Sequence, residues 1–289
     1  MDGHMVEEGE GAGERGTGSL FVVSTPIGNM GDFSFRAVET LRSVAVILAE
    51  DTRHSRPLLD RYDVRTALLA YHEHNEARMT PAVVARLARG EDVALISDAG
   101  TPLLSDPGAR LVEAATEAGL RVVPVPGASA LLAALVASGL AADRFTFYGF
   151  LDRKGRERAD AVAEIAALGH TAVLYEAPSR VGETLAELAA AGSAARRAVV
   201  ARELTKHFEE LRRGTLGELA AYYRQSPARG EVVIVVEGAT AEAPDEGALR
   251  ERARLLRAEG RSARDVARAL GAMGAARNLA YRLAHEAGE

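Results

Sequence analysis

With 47% hydrophobic and 26% charged residues over 289 positions, the chain has the balance of a soluble globular protein with material for more than one core. It contains no cysteine, which excludes a disulfide frame, a thiol nucleophile and any cysteine-ligated metal or cluster, and points to the cytoplasm. The net charge of −6 argues against a phosphate-rich partner until its distribution is considered, and no apolar run approaches the roughly 20 residues of a membrane helix, so no membrane partner is expected.

In chain order, residues 1–18 come first as an acidic tail with five acids and one base, rich in glycine and without apolar periodicity. Gly11, Gly13 and Gly16 spell G-x-G-x-x-G there, but that fingerprint must follow a strand and open a helix, and this one precedes the first strand. From residue 19 short β-rich runs at 20–23, 44–49, 68–71, 93–97 and 122–125 alternate with helical patterns at 35–42, 57–62, 81–89 and 110–118. Such alternation implies a largely parallel sheet covered on both faces. After a stiff turn at 124–127 the pattern resumes. It has helices at 129–137, 157–168, 180–190 and 216–224 and strands at 145–150, 172–175, 198–204 and 232–237.

The expected organisation is therefore an α/β fold: a tail over 1–18, an N-terminal α/β domain over 19–125 and a C-terminal α/β domain over 126–239. Residues 240–289 follow as a linker at 240–247 and a small helical segment. In that segment Ser262 and Asp265 form a capping box before Val266 and Leu270, and a turn at Met273 and Gly274 precedes a last helix marked by Leu279 and Leu283. Three short helices with a tight turn resemble a helix-turn-helix, and from Ala248 to His285 nine arginines face three acids. The body is mildly acidic and its end is basic.

Three loops combine glycine, proline and small polar residues directly after strands: 25–29, 97–108 and 126–130. Taken singly each is an ordinary βα turn. The density of such residues at Asp98, Gly100, Thr101, Pro102, Asp106, Pro107 and Gly108 exceeds what a connection needs, so the three loops are expected to line one cleft at the carboxyl ends of the strands. Lys154 and Lys206 are the only lysines and neither completes a Walker A loop, while a G-x-S-x-G elbow is also absent; nucleoside triphosphate hydrolysis and serine hydrolase chemistry are disfavoured.

The runs 25–29, 49–53, 97–108, 126–130, 175–180 and 202–206 resemble the ribosomal RNA small subunit methyltransferase I family of the tetrapyrrole methylase superfamily, whose members methylate the 2'-hydroxyl of a decoding-centre cytidine. The resemblance covers residues 19 to about 238, and the basic end is similar to that family's C-terminal extension. It implies a cleft for S-adenosylmethionine between two α/β domains, a ribosomal RNA or small-subunit partner, and a homodimer. It further implies that Pro26 and Gly28 lie near the cleft, that Asp98, Gly100, Thr101, Leu103 and Leu104 wrap the cofactor, and that Ser129 and Ala130 open the second domain against it. Tyr175, Ala201 and Val232 are adenosine-side contacts by the same resemblance, with plain core packing nearly as good an account of them.

Methyl transfer to a ribose hydroxyl is assisted by a base within hydrogen-bond reach. Glu50 and Asp51 after the second strand, and His72, Glu73, His74, Asn75 and Glu76 after the third, are the polar clusters that could supply it; Glu50, Asp51, His72 and Glu76 are singled out. An ion pair or helix cap is the structural alternative for Asp51 with Arg53. For His72, His74 and Glu76, substrate contact ranks ahead of structural hydrogen bonding, and a metal site ranks last. Arg53, Arg264, Arg268, Arg277 and Arg282 are the candidate RNA contacts, with a solvated helix face as the alternative. Two other functions remain open at this stage: the same fold acting on a small molecule such as a tetrapyrrole, and a non-catalytic RNA-binding protein.

Overall fold

A computed structural model describes residues 16–239 and 245–287. Gly11, Gly13, most of the acidic tail and residues 240–244 of the expected linker lie outside the described residues. By compactness the chain divides into two units, one made of Met1–Ala166 and Thr171–Glu237, the other of Ala167–His170 and Gly238–Glu289.

The first unit holds two five-stranded sheets. Strands β1 (Ser19–Val23), β2 (Val46–Ala49), β3 (Leu68–Ala70), β4 (Val93–Ile96) and β5 (Arg121–Val125) form the first, in the order β3-β2-β4-β1-β5. All four pairings are parallel. Its strands read as near-continuous apolar runs because both faces are covered. The side-chain period of two sorts them: Ile47 and Ala49 of β2 join one core cluster, Val46 and Leu48 the other. Helices α1 (Phe35–Ser43) and α2 (Thr52–Arg61) cover the first face through Ala37, Val38, Leu41 and Leu59. Helices α3 (Glu76–Ala88) and α4 (Ala109–Glu117) cover the other through Val83, Leu87, Leu111 and Ala115. Each such enclosed Leu, Ile or Val contributes about 1.5–3 kcal/mol.

This winding positions the site. β4 lies between β1 and β2, yet α1 and α2 leave toward one face and α4 toward the other. The loops after these neighbouring strands therefore part, and a crevice opens at their carboxyl ends.

In the second sheet, strands β6 (Phe145–Phe150), β7 (Thr171–Glu176), β8 (Arg197–Arg202), β9 (Glu210–Thr215) and β10 (Val232–Val236) run in the order β6-β7-β10-β8-β9. Only β6 with β7 is parallel; β10 is antiparallel to both neighbours and β9 to β8. Helix α5 (Ala130–Ser138) packs Leu131, Ala134 and Leu135 on Val173, Val199, Val233 and Val235. Helices α6 (Arg156–Ala167), α7 (Val181–Ala191) and α8 (Leu216–Gln225) complete this half, with α7 against α8.

The largest departures from the sequence-based expectation are two helix starts and one element. The expected starts of α2 and α3 at Pro57 and Pro81 fall inside the helices. α2 begins five residues earlier because the Asp51 carboxylate accepts from the Arg53 amide at 2.8 Å and caps it. β9 has no counterpart among the strands expected from the sequence. It is an edge strand whose charges mask the pattern: Glu210 pairs with Arg202 and Arg212, while Leu211 packs on the core.

The second unit contains α9 (Glu246–Ala258), α10 (Ala263–Ala272) and α11 (Arg277–Glu286) around a core of Leu249, Leu256, Val266, Leu270 and Leu283. Ser262 caps α10 by accepting from the Asp265 amide at 3.2 Å, and Gly274, at φ +90°, makes the turn before α11.

Candidate active site

The three glycine-bearing loops converge. Thr25 and Gly100 form an isolated antiparallel bridge, with N–H to O distances of 2.8 and 3.1 Å, so the loop after β1 is stitched to the loop after β4. The Thr101 hydroxyl lies 3.0 Å from the Ser24 hydroxyl and donates to the Ala128 carbonyl at 3.2 Å, which brings in the loop that leads into α5. Ile27, from the first loop, buries its side chain in the core of the second sheet.

Around these contacts lies a cavity of about 350 Å³. Its wall includes Asp98, Gly100, Thr101, Leu104, Ser129, Ala130, Tyr175 and Val232, eight of the twelve residues expected at the cofactor. The other four are elsewhere. Pro26 and Gly28 line an adjoining cavity of about 450 Å³ that shares Ile27, Asp98, Ala99 and Glu231 with the first and carries Arg53, His54, Ser55 and Lys206. Leu103 packs against the core of the first sheet, and Ala201 is fully enclosed in the core of the second.

The loop 97–108 is built under strain. Gly100 and Gly108 have φ of +85° and +126°, and the non-glycine residues Leu103 and Ser105 have +73° and +71°. Left-handed backbone costs a residue with a side chain about 1–2 kcal/mol, a kind of strain that clusters at ligand clamps. At Gly108, with φ +126°, a Cβ would stand 2.5 Å from Leu95 Cδ2, so a side chain there would strain the turn into α4.

The cavity wall also includes residues that sequence reasoning did not assign: Ala99, Ser105, Asp106, Phe150, Glu176, Ala177, Pro178, Leu204, Gly230 and Glu231. Asp106 and Ser105 sat inside the motif-dense loop, and Glu176 to Pro178 inside the 175–180 run, so a signal existed for them. Phe150 and Gly230 had none. Phe150 is 58% exposed although aromatic, and its ring stands 5.5 Å from that of Tyr175. The Ser129 hydroxyl is buried without a hydrogen-bond partner, an unmet polar group in the wall.

The likeness to known proteins covers this whole region. The family described as Tetrapyrrole (Corrin/Porphyrin) Methylases matches residues 19–220. The chain is 46% identical over 256 residues to "Ribosomal RNA small subunit methyltransferase I" of Synechocystis sp., covering 88% of this chain and 92% of that one. It belongs to the tetrapyrrole methylase family. Proteins of the same name from Xylella fastidiosa and Escherichia coli O157:H7 are 51% and 42% identical, over 77% and 94% of this chain and 82% and 96% of theirs. Among solved structures, uroporphyrin-III-C-methyltransferase from Thermus thermophilus has a TM-score of 0.56 at 21% identity, covering 76% of this chain and 94% of that one. Diphthine synthase has 0.59 at 16%, covering 78% and 91%. These two show a shared fold. This methylase thus has the family's two α/β sheets with a C-terminal helical segment.

The residues expected to act as a base do not line either cavity of the methylase described above. Asp51 is committed as the cap of α2 and pairs with Arg53 at 2.8 Å, which holds its carboxyl well below the usual carboxylate range. Glu76 sits in the first turn of α3, 3.5 Å from Arg110. Glu50 and His72 are more suggestive. Burial first, then the nearby Asp98 carboxylate, raise the Glu50 pKa, with His72 acting in the opposite sense. His72 Nδ1 is buried with no hydrogen-bond partner, while its Nε2 lies 3.3 Å from Asn75. Among the described residues no group of three or more His, Cys, Asp or Glu is arranged to hold a metal ion.

In the second unit Arg264, Arg268, Arg277 and Tyr281 line a concavity of about 360 Å³. Arg282, expected beside them, is engaged otherwise: it pairs with Glu246 and Glu286, both at 3.0 Å. No helix among the described residues is long and apolar enough to cross a membrane.

Proposed function

We propose that this methylase transfers a methyl group from S-adenosylmethionine to the 2'-hydroxyl of a cytidine in small-subunit ribosomal RNA. The observation that carries the proposal is the 350 Å³ cavity at the strand ends, formed by loops of both sheets, in a chain nearly half identical to proteins named for methylating that RNA.

The wall suits the donor. It is mostly apolar, offers backbone at Gly100 and Gly230 where side chains cannot intrude, and holds the unpartnered Ser129 hydroxyl at the start of α5 for a polar end of the ligand. Asp98, Gly100, Thr101, Leu104, Ser129, Ala130, Tyr175 and Val232 would hold it. The rings of Tyr175 and Phe150 offer faces for a purine. Bound there, the sulfonium supplies an electrophilic methyl group. The chain's own part is then to hold acceptor and donor in line and to keep water out.

Flanking RNA is assigned to the adjoining cavity, with Arg53 and His54 on its wall, and to Arg264, Arg268 and Arg277 of the second unit. Phosphate contacts of this kind give salt-sensitive affinity rather than sequence choice. We also propose self-association, for which Leu132 and Val136 supply exposed apolar surface one helical turn apart on α5. Ribosomal RNA as substrate places the activity in the cytoplasm.

Mass spectrometry of ribosomal RNA from cells lacking the gene tests the function. Loss of one ribose methyl on a small-subunit cytidine is the expected result; an unchanged methylation profile refutes it.

A further inference from the structure

We propose that Phe208, in the loop between β8 and β9, is a stacking platform for an unpaired RNA base beside the nucleotide that is methylated. The inference rests on the reaction proposed above and adds a contact that places its acceptor.

The loop 203–209 carries a ring that the core does not use. Phe208 is 68% exposed, and its ring meets that of His207 in a T-shaped pair at 4.8 Å, so at least one of its faces stays open. His207 and Glu209, on either side, are exposed and polar, which makes this a lone ring rather than part of an apolar patch along the loop. A protein partner needs a broad contact area, whereas one ring is enough for one base.

The ring is offered by a pinned backbone. Glu203 and Thr205, neither of them glycine, have φ of +50° and +65°. Strained backbone of this kind persists only where its surroundings over-determine it. Here the Glu203 carboxylate accepts from the Lys206 ammonium at 2.9 Å and from the Glu231 amide at 3.1 Å. The Thr205 amide donates to the Glu209 carboxylate at 2.6 Å, and Leu204 is buried in the core of the second sheet. The Thr205 hydroxyl accepts from the Asn29 amide at 3.1 Å, which ties the loop to the one after β1. A platform fixed in advance loses little freedom when it binds.

Its place suits a base next to the acceptor. Lys206, two residues before Phe208, lines the adjoining cavity with Arg53 and His54, and its stem covers Gly28, where a Cβ would overlap it. Two residues of chain reach about 7 Å at most, so Phe208 stands close to the wall assigned to flanking RNA. A cytidine stacked within its strand cannot bring its ribose to a cavity at the strand ends of a sheet. It has to be turned out, which uncovers a face of its neighbour and forfeits the stacking between them. A phenylalanine ring replaces that stack without reading the base, since every base has a π-face. Arg53 and His54 then hold the RNA backbone while Phe208 holds the neighbouring base.

Two experiments on the full chain test the assignment, both with unmethylated small ribosomal subunits. Phe208→Leu keeps apolar bulk and loses the flat face. Its KM for the subunit should rise about 5–150-fold, the range that one lost base stack represents, while calorimetry gives a Kd for S-adenosylmethionine within threefold of wild type. Phe208→Trp restores a face and should recover most of that loss. In the second experiment p-benzoylphenylalanine at position 208 is photolysed with the subunits and the crosslink is mapped by primer extension; a stop next to the methylated cytidine is expected. A KM for Phe208→Leu within twofold of wild type, no recovery in Phe208→Trp, or no crosslink to RNA beside that cytidine overturns the proposal. The photolysis decides even if Phe208→Leu fails to fold. Wild-type protein that binds the donor but leaves the subunit unmethylated would instead sink the reaction itself.

Discussion

Glu176→Gln probes what holds the cavity wall in place. Glu176 ends β7 between the cavity residues Tyr175 and Ala177, and its side chain is fully buried. It pairs with Arg180, lies 4.0 Å from Arg158, and receives hydrogen bonds from Thr184 and Ala177. Arg158 is itself 5% exposed and spends its other donors on Glu187, the Asp152 carbonyl and Thr184. Removing the charge of one member of such a network leaves the other buried charge uncompensated, a loss of about 3–5 kcal/mol. Glutamine keeps the shape and part of the hydrogen bonding, so the lower end, about 3 kcal/mol, is expected. For a chain of this size that is a thermal midpoint lower by about 10 °C. Circular dichroism melts measure it, and calorimetry should show weaker S-adenosylmethionine binding at temperatures where the variant is still folded. A midpoint within about 2 °C of wild type would refute the view that this network, rather than sheet packing alone, sets the wall.

Three other outcomes follow from the same geometry. Gly100→Val puts a Cβ 3.2 Å from Ile27 Cγ2 at a φ of +85° and sends its methyl groups into the cavity wall, so cofactor affinity should fall at least about tenfold with about 1–2 kcal/mol of stability lost to the left-handed backbone; an unchanged Kd by calorimetry would contradict the placement. Glu50→Gln removes a charge that raises the Asp106 pKa, so carboxyl-labelled NMR should show Asp106 titrating below about 6, and a midpoint that stays or moves up would contradict that coupling. Replacing Arg264, Arg268 and Arg277 together by alanine should weaken RNA binding and reduce its log–log salt slope by about 2–3, while cofactor binding is spared; an unchanged slope in filter-binding titrations would assign the concavity another role.

Much of the first sheet was legible because fully buried parallel strands carry unbroken apolar runs, as in 46–49 and 93–96. The convergence of the three loops was legible from their composition, since close approach of backbone demands small residues, as the Gly108 contact with Leu95 shows. What escaped reading did so for physical reasons. Proline is a good helix opener, yet Asp51 caps α2 well before Pro57, so the expected start was late. β9 is an edge strand whose exposed face carries paired arginines and glutamates, and charge there looks like a loop. Asp106 was visible in its loop but could not be told from a turn residue, because its distinction is the company of Glu50 and Asp98, brought together by a strand order that places β4 between β1 and β2. Arg282 carried the same charge as its neighbours in sequence, and only folding reveals that Glu246 and Glu286 consume it.

The most direct test of the account is transfer of a labelled methyl group from S-adenosylmethionine to unmethylated small ribosomal subunits by the purified chain, followed by alkaline hydrolysis of the RNA. A 2'-O-methyl group removes the hydroxyl that alkali needs, so the label should emerge in an alkali-resistant dinucleotide that begins with cytidine. Label released in a mononucleotide would mean methylation elsewhere, and no label in the RNA from protein that binds the donor would contradict the account outright.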